Sequence, residues 1–158
     1  MAKLSIKVGD PAPVFEGLDH AGSSVRLSDY RGKKHLLLYF YPKDSTPGCT
    51  AEARGFNRSL FEFEKRNTVV HGVSTDDVQS HERFRNSCSL QFQLIADHHK
   101  QISRAYGAIG GLMGILGMAR RVTVLIDKEG VVRSVWTSVN PQNHPDEVLK
   151  EIDRLGLR

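Results

Sequence analysis

From residue 36 to residue 41 the chain reads Leu-Leu-Leu-Tyr-Phe-Tyr, a continuous apolar run closed by Pro42. Its length and aromatic content predict a strand buried on both faces. Beyond Cys49 the period changes. Phe56, Leu60 and Phe63 recur at helical spacing with charges between them, which predicts a helix over residues 51–66. Residues 69–74 are strand-like, and Asp76 and Asp77 supply acidic starters for a helix running to about residue 87. Residues 92–96 read as a strand, and 100–106 as a short helix with Ile102 and Tyr106 on one face. Segments 122–127 and 131–136 flank a turn containing Gly130 and predict a hairpin. Pro145 suits the first helical position, and Val148, Ile152 and Leu155 give the last helix one apolar face. Ahead of residue 36, turn formers surround short pieces such as Val25-Arg26-Leu27, which predict small strands or turns laid on the core.

Strands alternating with helices, then a hairpin and a helix, predict an α/β protein of thioredoxin-like layout, with a central mixed β-sheet and helices on both faces. The 158 residues show no repeat or linker-like run, so residues 1–158 are read as one domain. Hydrophobic residues at 39% and charged residues at 25% exclude a disordered chain, a collagen-like repeat and a disulfide-framework mini-protein. No apolar run reaches the ~20 residues that cross a bilayer, so no membrane partner is expected. The start, MAKLSIKVGD, has no apolar core of a secretory signal. A cytoplasmic location is expected.

The net charge of +4 is mild. Its clusters, Lys33-Lys34 and Arg120-Arg121, lack interleaved aromatics, so the surplus reads as solvated surface and no nucleic-acid partner is expected. In a reducing compartment two cysteines are not a staple. Cys49 and Cys88 are each either a small core residue or a reactive thiol.

The candidate chemistry lies where the strand of residues 36–41 ends. A Pro/Gly-rich loop, Pro42-Lys43-Asp44-Ser45-Thr46-Pro47-Gly48, turns and delivers Cys49 to the start of a helix. Orphan backbone N–H groups and the positive end of the helix dipole then favour a thiolate. Thr46, three residues earlier, can place a hydroxyl beside the sulfur. Pro42 stiffens the loop and withholds one N–H. The competing reading is an inert core cysteine behind prolines that merely shape the loop.

Pro42, Thr46 and Cys49 match the P-x-x-x-T-x-x-C motif of peroxiredoxins. The opening GDPAPVFEGLDHAGSSVRLSDYRGKKHLLLYFYPKDSTPGCT is similar to that of the PrxQ, or bacterioferritin comigratory protein, branch. VVHGVSTDD, SHERFRNSCSLQFQLIAD and RRVTVLIDKEG follow in the family's order. This resemblance covers nearly the whole chain. It implies a thiol-dependent peroxidase in which Cys49 attacks a peroxide and becomes a sulfenic acid. It implies Arg121, opening the stretch Arg121-Val122-Thr123-Val124-Leu125-Ile126-Asp127, as the cation beside Cys49; strand alternation turns the neighbouring Arg120 to the opposite face, where it is expected to be solvated. Glu52, one turn after Cys49, either orients Arg121 or is an ordinary exposed acid. No cofactor is implied, neither metal, haem nor flavin. His98-His99 reads as a turn, since adjacent helix positions face apart.

The chain departs from the family at residue 54. Many PrxQ proteins carry a resolving cysteine five residues after the first; here that position is Arg54. Some place it on the helix that here contains Cys88, so by resemblance Cys88 resolves Cys49 and the disulfide is reduced by thioredoxin or a similar thiol. Alternatively Cys88, four residues after Phe84 on one face, is a core residue and an external thiol reduces Cys49 directly. Residues 108–118, apolar and Gly-rich, are read as a flap beside the site with an apolar self-association patch, or as a loop buried under the last helix. The chain is expected as a monomer or weak homodimer. Two other functions compete: a sensor or chaperone oxidised without turnover, and a non-enzymatic nucleic-acid binder.

Overall fold

The computed structural model describes residues 6–158. The first five residues, part of the start read as lacking a secretory core, lie outside the described residues. Seven strands form one mixed sheet: β1 (Glu16–Asp19), β2 (Ser24–Arg26), β3 (His35–Phe40), β4 (Thr68–Ser74), β5 (Gln93–Ala96), β6 (Val122–Ile126) and β7 (Val132–Trp136). They lie in the order β2-β1-β5-β4-β3-β6-β7. The pairs β3–β4 and β4–β5 are parallel, and β3–β6, β6–β7, β1–β5 and β1–β2 are antiparallel. Among the described residues six α-helices accompany them: α1 (Pro47–Arg58), α2 (Leu60–Lys65), α3 (Val78–Ser87), α4 (Gln101–Ala105), α5 (Gly111–Ile115) and α6 (His144–Leu155).

All six residues of β3 are buried. Leu36, Leu38 and Phe40 join one apolar cluster with Ile102 and Tyr106; Leu37 and Tyr39 join the other with Ala53, Phe56, Phe63, Phe84, Val148 and Ile152. The strand's alternation therefore feeds two cores, with α1, α2, α3 and α6 over one face and α4 over the other. Each large side chain so buried contributes about 1.5–3 kcal/mol. The α/β class and the thioredoxin-like arrangement stand as expected.

Several boundaries differ from the expected ones. The long helix is two, broken at Ser59, whose N–H donates to Phe56 O at 3.1 Å in a tightened last turn. The break lets Phe56 and Phe63 both reach the core, with ring centroids 5.8 Å apart. The first of them begins at Pro47, four residues earlier than expected, because Thr46 holds an extended cap conformation and Pro47 suits the first position. Pro145 is the second helical residue, since His144 starts α6 and ties it to β6 through Thr123 Oγ1 at 2.8 Å. Residues 108–118 are not a buried loop. Ala108 and Ala119 are buried at the base, but the excursion forms α5 and exposes Leu112, Leu116 and Ile115, the last at 82%.

Candidate active site

The loop between β3 and α1 is held from below by a buried polar network. Tyr41 Oη donates to Asp44 Oδ1 at 2.6 Å. The other oxygen, Oδ2, accepts from Ser80 Oγ at 2.8 Å and pairs with His81 Nδ1 at 2.7 Å. Asp44 N–H donates to Asp76 Oδ2 at 2.9 Å, and Ser74 Oγ donates to the same oxygen at 2.6 Å. His81 Nε2 lies 2.9 Å from Ile95 O, which can only accept, so Nε2 carries a proton. Asp44, Asp76 and His81 lie close enough to resemble a metal site. Their facing atoms are instead satisfied by one another and by hydroxyl and amide donors, so the cluster is an anchor. It fixes the loop to β4 and α3. Sequence reasoning missed it; the available signals were an acid three residues after a core tyrosine, and a histidine three residues before Phe84 on its face.

Above the anchor, Ser45 adopts a left-handed backbone (φ 64°), uncommon for a residue with a Cβ, and turns the chain toward Thr46. Thr46 caps α1, and its hydroxyl donates to Lys43 O at 2.9 Å, which leaves its lone pairs to accept. Pro42 stands half-buried at the loop's start. Cys49 occupies the first turn of α1 and is 1% exposed.

Arg121, just before β6, reaches this turn. Its Nη2 donates to Cys49 Sγ at 3.2 Å and its Nη1 to Glu52 Oε1 at 2.8 Å. The rigid fork spans a sulfur and a carboxylate, which a lysine cannot imitate. Gly48 makes the approach possible: a Cβ there would lie 2.8 Å from Arg121 Nη2. Glu52 is the buried partner of Arg121, not an exposed acid. Burial pushes its carboxyl up to about 7, against the opposing pull of the Arg121 charge. Arg120 is half-buried rather than solvated; its N–H donates to Ala108 O at 2.8 Å and closes the α5 excursion.

The structure thus brings together Cys49, Arg121 and Glu52, with Thr46 and Pro42 on the loop that leads to them. Cys88 is elsewhere, half-buried at the end of α3, and both cysteines are free thiols. His98 and His99 lie in an exposed turn with their rings edge to face.

A thioredoxin-like sheet that presents a buried cysteine at a helix start, forked by an arginine, defines the class of thiol-dependent peroxidases. The comparisons agree. The AhpC/TSA family matches residues 8–135, and the chain belongs to that family. It is 40% identical over 151 residues to the putative peroxiredoxin bcp of Helicobacter pylori strain J99, covering 93% of this chain and 98% of that one. It is 38% identical over 156 residues to peroxiredoxin Bcp of Bacillus subtilis, covering 94% and 96%. A Xanthomonas campestris bacterioferritin comigratory protein, described for its alkyl peroxide reduction activity, superposes with TM-score 0.85 at 30% identity, covering 97% and 99%. Within its family the chain is a peroxiredoxin of the Bcp/PrxQ branch.

Proposed function

We propose that this chain, acting as one domain, reduces hydrogen peroxide and organic hydroperoxides at Cys49. The observation that carries the assignment is the fork of Arg121 between Cys49 Sγ and Glu52. The Cys49 thiolate attacks the terminal peroxide oxygen, a sulfur–oxygen bond forms as the O–O bond breaks, and the leaving alkoxide or hydroxide takes up a proton. Arg121 carries the fixed charge beside the sulfur, Thr46 offers an acceptor for the peroxide's O–H, and the amides opening α1 face the developing charge. Pro42 and the Asp44 anchor keep the loop in place.

Cys88 then resolves the sulfenic acid, and thioredoxin or a similar thiol reduces the Cys49–Cys88 disulfide. Arg54 stands where the nearer cysteine would be, and Cys88 is the other thiol of the chain. The protein works in the cytoplasm as a monomer or weak homodimer, with the exposed apolar side chains of α5 as the self-association patch. Neither nucleic acid nor membrane is a partner. Among the described residues no helix is long and apolar enough to cross a membrane.

Intact mass after one equivalent of peroxide tests the cycle. Wild type is expected two hydrogens lighter, and the Cys88→Ser variant one oxygen heavier and quicker to gain a second under excess peroxide. A persistent sulfenic acid in wild type, with normal turnover in Cys88→Ser, would make this a one-cysteine enzyme. Oxidation that no thiol reductant reverses would make it a sensor.

A further inference from the structure

Cys88 ends a helix whose two ends are held differently. At the start of α3, Asp77 caps Ser80 N–H at 2.9 Å and His81 is pinned in the buried Asp44 anchor. The far end closes on Ser89, exposed and in the left-handed backbone region (φ 52°) where glycine is the usual occupant. The closing bonds are Ser89 N–H to Asn86 O at 3.2 Å and Leu90 N–H to Arg85 O at 2.9 Å.

A side chain from another element bonds to this turn. Asn57, in the last turn of α1, donates from Nδ2 to Ser89 O at 3.3 Å and accepts from Gln91 N–H at 2.8 Å. These bonds clamp the residues just after Cys88 to α1, eight positions beyond Cys49. Eight helical residues rise about 12 Å, whereas a disulfide needs its Cα atoms within about 7 Å. The clamp therefore keeps the Cys88 segment at the wrong end of α1 for bonding to Cys49.

We propose that Asn57 is a positioning residue that latches the Cys88 turn in its reduced place, so that release of the latch sets the rate at which Cys88 reaches Cys49. The inference rests on Cys88 being the resolving thiol. In that step the Cys88 thiolate attacks the Cys49 sulfenic sulfur, the S–S bond forms, the S–O bond breaks, and the departing hydroxide takes a proton to become water. The strained Ser89 acts in the opposite sense to Asn57. It raises the energy of the closed turn and eases opening, which must precede attack.

The test is a time course of intact mass on acid-quenched full-length protein after one equivalent of hydrogen peroxide. Asn57→Ala is expected to form the disulfide about tenfold faster, because both clamp bonds are gone and the freed backbone groups are exposed to water. Ser89→Gly is expected to form it about fivefold more slowly, because glycine removes the strain of the closed turn. Sulfenic acid formation stays unchanged in both, and under excess peroxide Asn57→Ala accumulates less sulfinic acid than wild type. A merely structural Asn57 would lower the melting temperature without changing how Cys49 divides between disulfide and sulfinic acid. Disulfide formation that is unaltered in both variants, or slowed in Asn57→Ala, overturns the latch alone. Absence of a Cys49–Cys88 disulfide in wild type overturns the latch together with the resolving role of Cys88.

Discussion

The two thiols of this protein live in opposite surroundings. Cys49 sits in the first turn of a 12-residue helix, packed into the core and fixed by the fork of Arg121. The loop behind it is bound into the buried Tyr41–Asp44–His81 network. Cys88 sits at the closing residue of α3, half-buried between exposed serines, and the turn after it is strained at Ser89 and held by side-chain bonds near solvent. The contrast matches the roles proposed for the two thiols. A nucleophile gains from partners that are already in position, because reorganisation during reaction raises the barrier. If Cys88 resolves Cys49, as proposed, it must leave its place in every cycle, and tight packing there would slow it.

The largest expected effect lies on the fixed side. Cys49→Ser removes the proposed nucleophilic sulfur and should abolish peroxide reduction, since a serine hydroxyl is a far weaker nucleophile toward peroxide. The fold should survive, because the two side chains differ little in size and a hydroxyl can accept the Arg121 N–H. Steady-state peroxide consumption checks this, and activity within about tenfold of wild type would break the assignment of Cys49 as the rigid, reacting thiol. Next comes Arg121→Lys. It keeps the charge but loses the fork, so one of the two partners, Sγ or Glu52 Oε1, goes without its donor. Loss of one preorganised donor costs about 2.7–4 kcal/mol, or two to three decades in rate, read from single-turnover kinetics. An unchanged rate would show that charge alone serves the sulfur, and that geometric fixity matters less on this side than the contrast implies.

Parts of this arrangement are legible in the chain itself. The run from Leu36 to Tyr41 declares a two-faced buried strand, and β3 packs into both cores as its alternation requires. The turn formers from Pro42 to Gly48 declare a loop that ends where Cys49 begins a helix. The exact start of α1 was missed because Pro47 and Gly48 read as loop residues, whereas a proline at the first helical position gives up no hydrogen bond. The break at Ser59 was missed because Phe56, Leu60 and Phe63 keep one face in either case. The Asp44–His81 anchor joins residues 37 positions apart, and no local periodicity records such a pairing. The latch at Asn57 escaped for the same reason. An asparagine on a helix surface has no distinctive spacing, and its partners are backbone groups of a turn 32 and 34 residues away.

The smallest expected effect concerns the cost of fixing the reacting side. Burial raises the Glu52 carboxyl from an ordinary 4.5 to about 7, and the Arg121 charge offsets only part of that rise. Between these values the folded protein keeps a proton that the unfolded chain has released, so the stability gained from the protonated carboxyl is full below 4.5 and is lost as pH rises through 7. The difference corresponds to about 3 kcal/mol. Glu52→Gln keeps an acceptor oxygen for Arg121 but does not titrate. Its stability relative to wild type should therefore climb as pH increases from about 4 to about 8, which urea unfolding across that range measures. A flat difference would mean that Glu52 is ionised throughout, its burial fully compensated by Arg121. With the predicted slope, the ionised, charge-assisted bond that steadies Arg121 exists only where the fold has already given up this stability. Fixing Arg121 beside Cys49 is thus bought with burial of a carboxylate, whereas the Cys88 side stores its cost in the backbone of Ser89.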